Sequence, residues 1–240
     1  EHLISGDVEY LVSLGTTGES ATLTKAEKQE VFDFTIKTVA ARKPIVAGFG
    51  GNNTAEIISA INSFHFDGVD AILSVSPYYN KPTQEGIYQH YMALDAVAPV
   101  PIIIYNVPGR TGSNFSATTT LRLANDAKNI FAIKEASGDF NQCMEIVKNK
   151  PKDFLVISGD DAFTLPMLSF GMDGVISVVG NAYPKQFSDM VRAGLGGDFE
   201  TARTLHYQLL GIIDLLFAEG NPGGVKCCLL YTSPSPRDEK

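Results

Sequence analysis

The sequence predicts an α/β fold with a parallel sheet, and within that class a (β/α)8 (TIM) barrel, on two observations. Apolar runs of strand length alternate with amphipathic stretches of helical length from near the N-terminus almost to residue 220. The runs are rich in Val and Ile and are bounded by Gly, Pro or Asp, as in strands covered on both faces. In order, the predicted strands cover residues 8–15, 44–50, 70–77, 101–106, 130–135, 154–160 and 174–180. After the first, Thr24 and Glu27 have the spacing of a capping box. After the second, Asn53 or Thr54 is placed to cap a helix, and Ser116 does the same further on. Asp160 and Asp161 are expected to cap a helix beginning near Ala162, and Pro184 falls where a first-turn proline is tolerated. The repeated unit is βα. An open doubly wound sheet is the runner-up, but 15–19 lacks the glycine spacing of its phosphate turn.

Seven runs are one short of a closed eight-stranded barrel, and residues 1–5 read as the tail of a helix. The expectation is that the first strand is missing and that the C-terminal helical extension is cut short. Residues 1–195 would be the barrel and 196–226 the start of a helical region. Residues 227–240 would be an unstructured tail, polar and broken by Pro234 and Pro236.

With 44% hydrophobic and 19% charged residues, the chain suits one soluble domain with a sizeable core. A net charge of −8 leaves no basic stripe, which argues against nucleic acid as a partner. No window approaches the roughly 18 apolar residues of a membrane span, and Glu1, Asp7 and Glu9 do not start a secretion signal, so a cytoplasmic protein is expected. Cys143 and the adjacent Cys227 and Cys228 suit neither a disulfide framework nor zinc. His2, His65, His90 and His206 form no metal or triad pattern, so no metal is expected.

Barrel chemistry sits where strands end. Alternation along 130–135 puts Lys134 on a face with Ile130 and Ala132, an amine aimed into an apolar mouth and able to attack a ketone. The bland alternative is a lysine that reaches solvent and pairs with Glu135 or Asp139. Tyr105 shares a face with Ile103 and could move a proton beside Lys134, or simply cap the core. Arg110 follows a rigid Pro-Gly turn and is suited to gripping a carboxylate, unless it is an ordinary surface arginine. The turn Gly15-Thr16-Thr17-Gly18 offers backbone N–H groups and two hydroxyls to a carboxylate. Tyr78 and Tyr79 form an aromatic wedge between prolines, equally suited to packing against another subunit.

Gly15-Thr-Thr-Gly-Glu19, Pro77-Tyr-Tyr79, Tyr105-Asn-Val-Pro-Gly-Arg110-Thr-Gly112, Lys134-Glu135 and Ser158-Gly-Asp-Asp161 occur in this order. Over about residues 1–226 the chain resembles the dihydrodipicolinate synthase (4-hydroxy-tetrahydrodipicolinate synthase) family, and five ordered motifs are far more specific than any one of them. The resemblance implies condensation of pyruvate with aspartate 4-semialdehyde, without metal or organic cofactor, by a homo-oligomer built as a dimer of dimers. It implies that Lys134 forms the imine and that Tyr105 lies between Thr16 and Tyr79 in a proton relay, with Tyr79 donated by an adjacent subunit. Thr17 would hold the pyruvate carboxylate and Arg110 that of the semialdehyde. Gly159 and Ile176 would supply backbone contacts. A lysine-effector site would comprise Ser20, Ala21, Lys25, Lys28, Asn52, Glu56 and Tyr78, with weak feedback because Lys25 and Lys28 repel a cationic ligand. Sister enzymes on the same scaffold, N-acetylneuraminate lyase and 2-keto-3-deoxy sugar-acid aldolases, are the rival readings, and Arg110 and the Tyr78-Tyr79 pair favour the synthase. A non-catalytic fragment is a further alternative.

Overall fold

Each predicted apolar run holds a strand, and each strand pairs in parallel with the next along the chain. The computed structural model describes residues 1–232. In order it has α1 (His2–Ser5), β1 (Leu11–Ser13), α2 (Lys25–Val39), β2 (Ile45–Gly48), α3 (Thr54–Ser63), β3 (Ala71–Val75), α4 (Gln84–Asp95), β4 (Ile102–Asn106) and α5 (Pro108–Thr111). It continues with α6 (Ala117–Asp126), β5 (Ile130–Glu135), α7 (Phe140–Asn149), β6 (Leu155–Ser158), α8 (Thr164–Ser169), β7 (Gly174–Val175), α9 (Pro184–Leu195), α10 (Phe199–Phe217) and α11 (Gly223–Thr232). The sheet order is β1-β2-β3-β4-β5-β6-β7, seven strands among the described residues, without closure between β1 and β7. The side chain of Tyr10 crosses between those two edges, its hydroxyl donating to the Val175 carbonyl (3.1 Å).

Alternation sorts the strand residues onto two buried faces. Val46, Leu73, Ile103, Tyr105, Ala132, Ile157 and Ile176 form one cluster on the inner face. Ile45, Ile72, Ile102, Ile104, Ile133 and Val156 pack outward against helix residues such as Phe32, Ile87, Leu123, Ile146 and Met167. With both faces covered, the strands lack the apolar-polar alternation of a half-exposed sheet. A third cluster, with Phe187, Met190, Leu209, Ile213 and Val225, joins α9, α10 and α11.

The helix starts follow their sequence signals. Thr24 and Glu27 form the capping box of α2, the Thr24 N–H donating to Glu27 Oε2 (2.8 Å). Asn53 caps α3, Ser116 caps α6, and Pro184 opens α9. Three expectations need correction. Ile130 does not share a face with Lys134: the register with β4 jumps from Ile102↔Ile130 to Ile103↔Ala132, and the residue bulged out is Phe131. Ile130 therefore packs outward with the helices, while Ala132 stays inside. Of the two acids after β6, Asp160 alone accepts from the turn before α8, through Ala162 and Phe163 N–H. Asp161 instead accepts from Val178 and Val179 N–H on the loop after β7. Finally, the tail predicted to be unstructured from 227 is helical as far as Thr232, with Cys228 and Leu229 packed on the third cluster. Residues 233–240 lie outside the described residues.

Candidate active site

The chemistry gathers where the strands end. Tyr105 and Lys134 are register partners on β4 and β5, both facing inward. Lys134 is only 8% exposed, and its Nζ lies 4.3 Å from the centre of the Tyr105 ring. Neither acid suggested as a surface partner holds it. Glu135 faces the other side of the sheet, where Asn106, Gln142 and Ser137 donate to it. Asp139 caps α7 through Gln142 N–H. Among the described residues no ion pair to Lys134 forms, so its amine stands in an apolar wall beside one aromatic face.

Backbone geometry explains two of the glycines at this end of the sheet. At Gly159, an added Cβ would sit 2.7 Å from Ala136 Cβ and 3.0 Å from Lys134 Cε, so the lysine stem runs through space that only glycine leaves. At Gly48 the obstacle is backbone: a Cβ would meet the Leu14 carbonyl oxygen at 2.1 Å. Leu14, at φ 58°, bends the chain there so that Gly15 leads into a 3-10 turn over Thr16–Gly18. The parallel ladder also continues past the strands, Gly159 N–H donating to Glu135 O (2.8 Å) and Ile176 N–H to Ser158 O (2.9 Å).

Two cavities meet at Thr16, which lines both. One, of about 450 Å³, holds Lys134, Thr17, Ile157 and Ile176 and lies between the edges of β1 and β7. The other, of about 670 Å³, begins at Tyr105 and Arg110 and runs outward to Ser20, Ala21, Lys25, Lys28, Asn52, Glu56 and Tyr78. The Lys134–Tyr105 pair thus stands on the wall between the two. Tyr79 lines neither cavity; it is 85% exposed, at φ 70°.

Sequence reasoning missed Asn221. Its Nδ2 donates to Thr17 Oγ1 (3.0 Å), Arg110 donates to its carbonyl (3.3 Å), and it lines the larger cavity. An ion pair between Lys226 and Glu19 ties the same arm down. Asp161, also fully buried, lies close enough to feel the charge of Lys134; burial pushes its carboxyl up, opposed by its hydrogen bonds and by that lysine. Burial likewise raises Glu135, against the four hydrogen bonds it accepts. No cluster of three or more His, Cys, Asp or Glu suited to a metal occurs among the described residues, and no helix there is long and apolar enough to cross a membrane.

A parallel α/β sheet with a buried lysine at its C-terminal mouth, beside a tyrosine and a Gly-Thr-Thr turn, defines a class of lysine-centred sites at strand ends. The comparisons make the family specific: the chain belongs to the Dihydrodipicolinate synthetase family, matched over residues 1–233. It is 55% identical over 225 residues to the 4-hydroxy-tetrahydrodipicolinate synthase of Flavobacterium psychrophilum, covering 94% of this chain and 77% of that one. Among solved structures it resembles the chloride-inhibited dihydrodipicolinate synthase of Acinetobacter baumannii complexed with pyruvate (TM-score 0.92, 40% identity, 96% of this chain and 79% of the other). It also resembles a dihydrodipicolinate synthase variant described as the first monomeric one (TM-score 0.94, 38% identity, 97% and 78%).

Proposed function

We propose that this chain is a lyase that condenses pyruvate with L-aspartate 4-semialdehyde to 4-hydroxy-tetrahydrodipicolinate, a step of diaminopimelate and lysine biosynthesis, through an imine on Lys134. The observation that carries the reading is the buried Lys134 amine over the Tyr105 ring, with no ion pair to it among the described residues, in a chain of this family. The amine adds to the pyruvate ketone and water leaves as the imine forms. The imine draws electrons from the methyl group, which gives up a proton to become an enamine. The enamine carbon bonds to the aldehyde carbon of the second substrate, whose own amine then displaces Lys134 and closes the ring. The lysine thus supplies the electron sink, and no organic cofactor or metal enters the scheme.

In this scheme Tyr105 moves protons with Thr16, Thr17 and its neighbouring N–H groups hold the pyruvate carboxylate, and Arg110 takes that of the semialdehyde. Backbone groups of Gly159 and Ile176 border the pyruvate. The exposure of Tyr79 supports its serving a second copy of the chain, as a homo-oligomer arranged as a dimer of dimers would allow. The edges that β1 and β7 leave unpaired among the described residues support a barrel of eight strands, a further one fitting between them. Arg110 beside the mouth favours the synthase over sugar-acid lyases, as do the relatives. A cytoplasmic enzyme fits this biosynthetic role.

The outer half of the larger cavity suits free lysine, bound weakly because Lys25 and Lys28 already place two cations there. Calorimetric titration is expected to show weak binding; a low-micromolar constant would sink the idea. The function itself is tested by borohydride reduction in the presence of pyruvate, followed by mass spectrometry. A pyruvate adduct on Lys134, absent in Lys134→Ala, is expected, and a folded chain that traps none overturns the reading.

A further inference from the structure

The scheme leaves unused a fully buried carboxyl, Glu135, immediately after the nucleophile and on the opposite face of the sheet. It meets no cation. Asn106 Nδ2 donates to both its oxygens (3.1 Å each), Gln142 Nε2 to Oε2 (2.9 Å) and Ser137 N–H to Oε1 (2.8 Å). Such an arrangement is costly unless every contact is kept, because a buried carboxyl stripped of donors has nothing to replace them.

Its partners show what the arrangement holds. Asn106 is the register partner of Glu135 at the end of β4, one residue after Tyr105. The same Asn106 accepts from Phe115 N–H (3.0 Å) and donates to Asn114 Oδ1 (2.9 Å). Gln142 accepts from Asn114 Nδ2 (2.7 Å) and donates to the Phe115 carbonyl (3.0 Å). Residues 106 and 114–115 are the two ends of the segment that carries Arg110. One carboxyl therefore ties the lysine strand, the tyrosine strand, α7 and both ends of the arginine segment.

Building on the imine chemistry above, we infer that Glu135 is a positioning residue for this site. Through Asn106 and Gln142 it sets Lys134 against Tyr105 and fixes the Arg110 segment over the mouth. A purely structural role would lower stability on substitution and leave the reactivity of Lys134 untouched. Positioning changes reactivity in a molecule that still folds.

The experiment compares the chain as it stands with Glu135→Gln and with Gln142→Leu, which removes one donor and keeps the carboxyl. Thermal melting by circular dichroism reports folding. Reductive methylation with formaldehyde and borohydride, read at Lys134 and at exposed Lys148 by mass spectrometry, reports amine reactivity without any substrate. Trapping with pyruvate and the KM for the semialdehyde are measured in parallel. In folded Glu135→Gln, methylation and trapping at Lys134 are expected to fall about ten-fold or more with Lys148 unchanged, and the semialdehyde KM to rise. Gln142→Leu is expected to do the same to a lesser degree. Unaltered Lys134 methylation in folded Glu135→Gln overturns the inference; if that variant does not fold, unaltered methylation in Gln142→Leu overturns it. An unsubstituted chain that methylates at Lys134 but traps no pyruvate refutes the proposed function instead, and the methylation comparison still decides the role of Glu135.

Discussion

A methyl group added at Gly159 is the smallest change that reaches the nucleophile. It would press on Ala136 Cβ at 2.7 Å, which retreats only with the backbone just past β5, and on Lys134 Cε at 3.0 Å, which gives way by turning the lysine stem and carrying its amine with it. Gly159→Ala is expected to cost about 1–3 kcal/mol of stability by overpacking. Its kcat is expected to fall about 100-fold, because displacing the amine by a fraction of an ångström spoils its approach to the ketone. Steady-state kinetics beside a melting curve separates the two effects, and a variant with normal kcat would show that the lysine stem has room to spare. Lys134 itself was legible in the sequence because a cation breaks an otherwise apolar strand at its C-terminal end. Its neighbour Ile130 was misplaced because a bulge at Phe131 leaves no mark on a strictly alternating pattern. Asn221 was illegible for another reason: its partner Thr17 lies 204 residues earlier, and a lone asparagine in a glycine-rich turn carries no local signal of such a contact.

The helices announced themselves where a cap supplies a donor or acceptor that the helix end lacks, as at Thr24, Asn53 and Ser116. Contacts between helices left no such trace, and α3 and α4 illustrate this. His90 of α4 is buried, its Nδ1 2.8 Å from Thr54 Oγ1 at the start of α3 and its Nε2 without a hydrogen-bond partner among the described residues. Burial holds its pKa down at about 4, against an ordinary 6.5. A depressed folded pKa means that the unfolded chain takes up the proton first as pH falls. The contribution of His90 to stability is therefore full above pH 6.5 and is lost as pH falls toward 4. By linkage this is on the order of 2–3 kcal/mol between pH 7 and 4.5. Melting temperatures across that range should fall less steeply in His90→Gln, which cannot titrate, than in the unsubstituted chain. Parallel curves would mean that the imidazole reaches water.

At the scale of the whole molecule, the alternation of strands and helices made the parallel α/β class legible, because each βα unit repeats the same burial pattern. Closure of the sheet was not legible in the same way, since it depends on which edges meet rather than on any local pattern. In the structure β4 and β5 have a hydrogen-bonded neighbour on each side, whereas β1 and β7 each present one edge that pairs with no strand among the described residues. Tyr10 bridges those edges with a single side-chain bond, and the smaller cavity lies between them. An amide at such an edge opens without disrupting the rest of the sheet, so protection should be graded outward from the centre. Hydrogen exchange followed by mass spectrometry is expected to show peptides covering β1 and β7 exchanging about 100-fold faster than those covering β4 and β5. Uniform slow exchange that persists on dilution would mean that the two edges are paired within one molecule. Slow exchange lost on dilution would mean that a second copy covers them, because only intermolecular pairing responds to protein concentration.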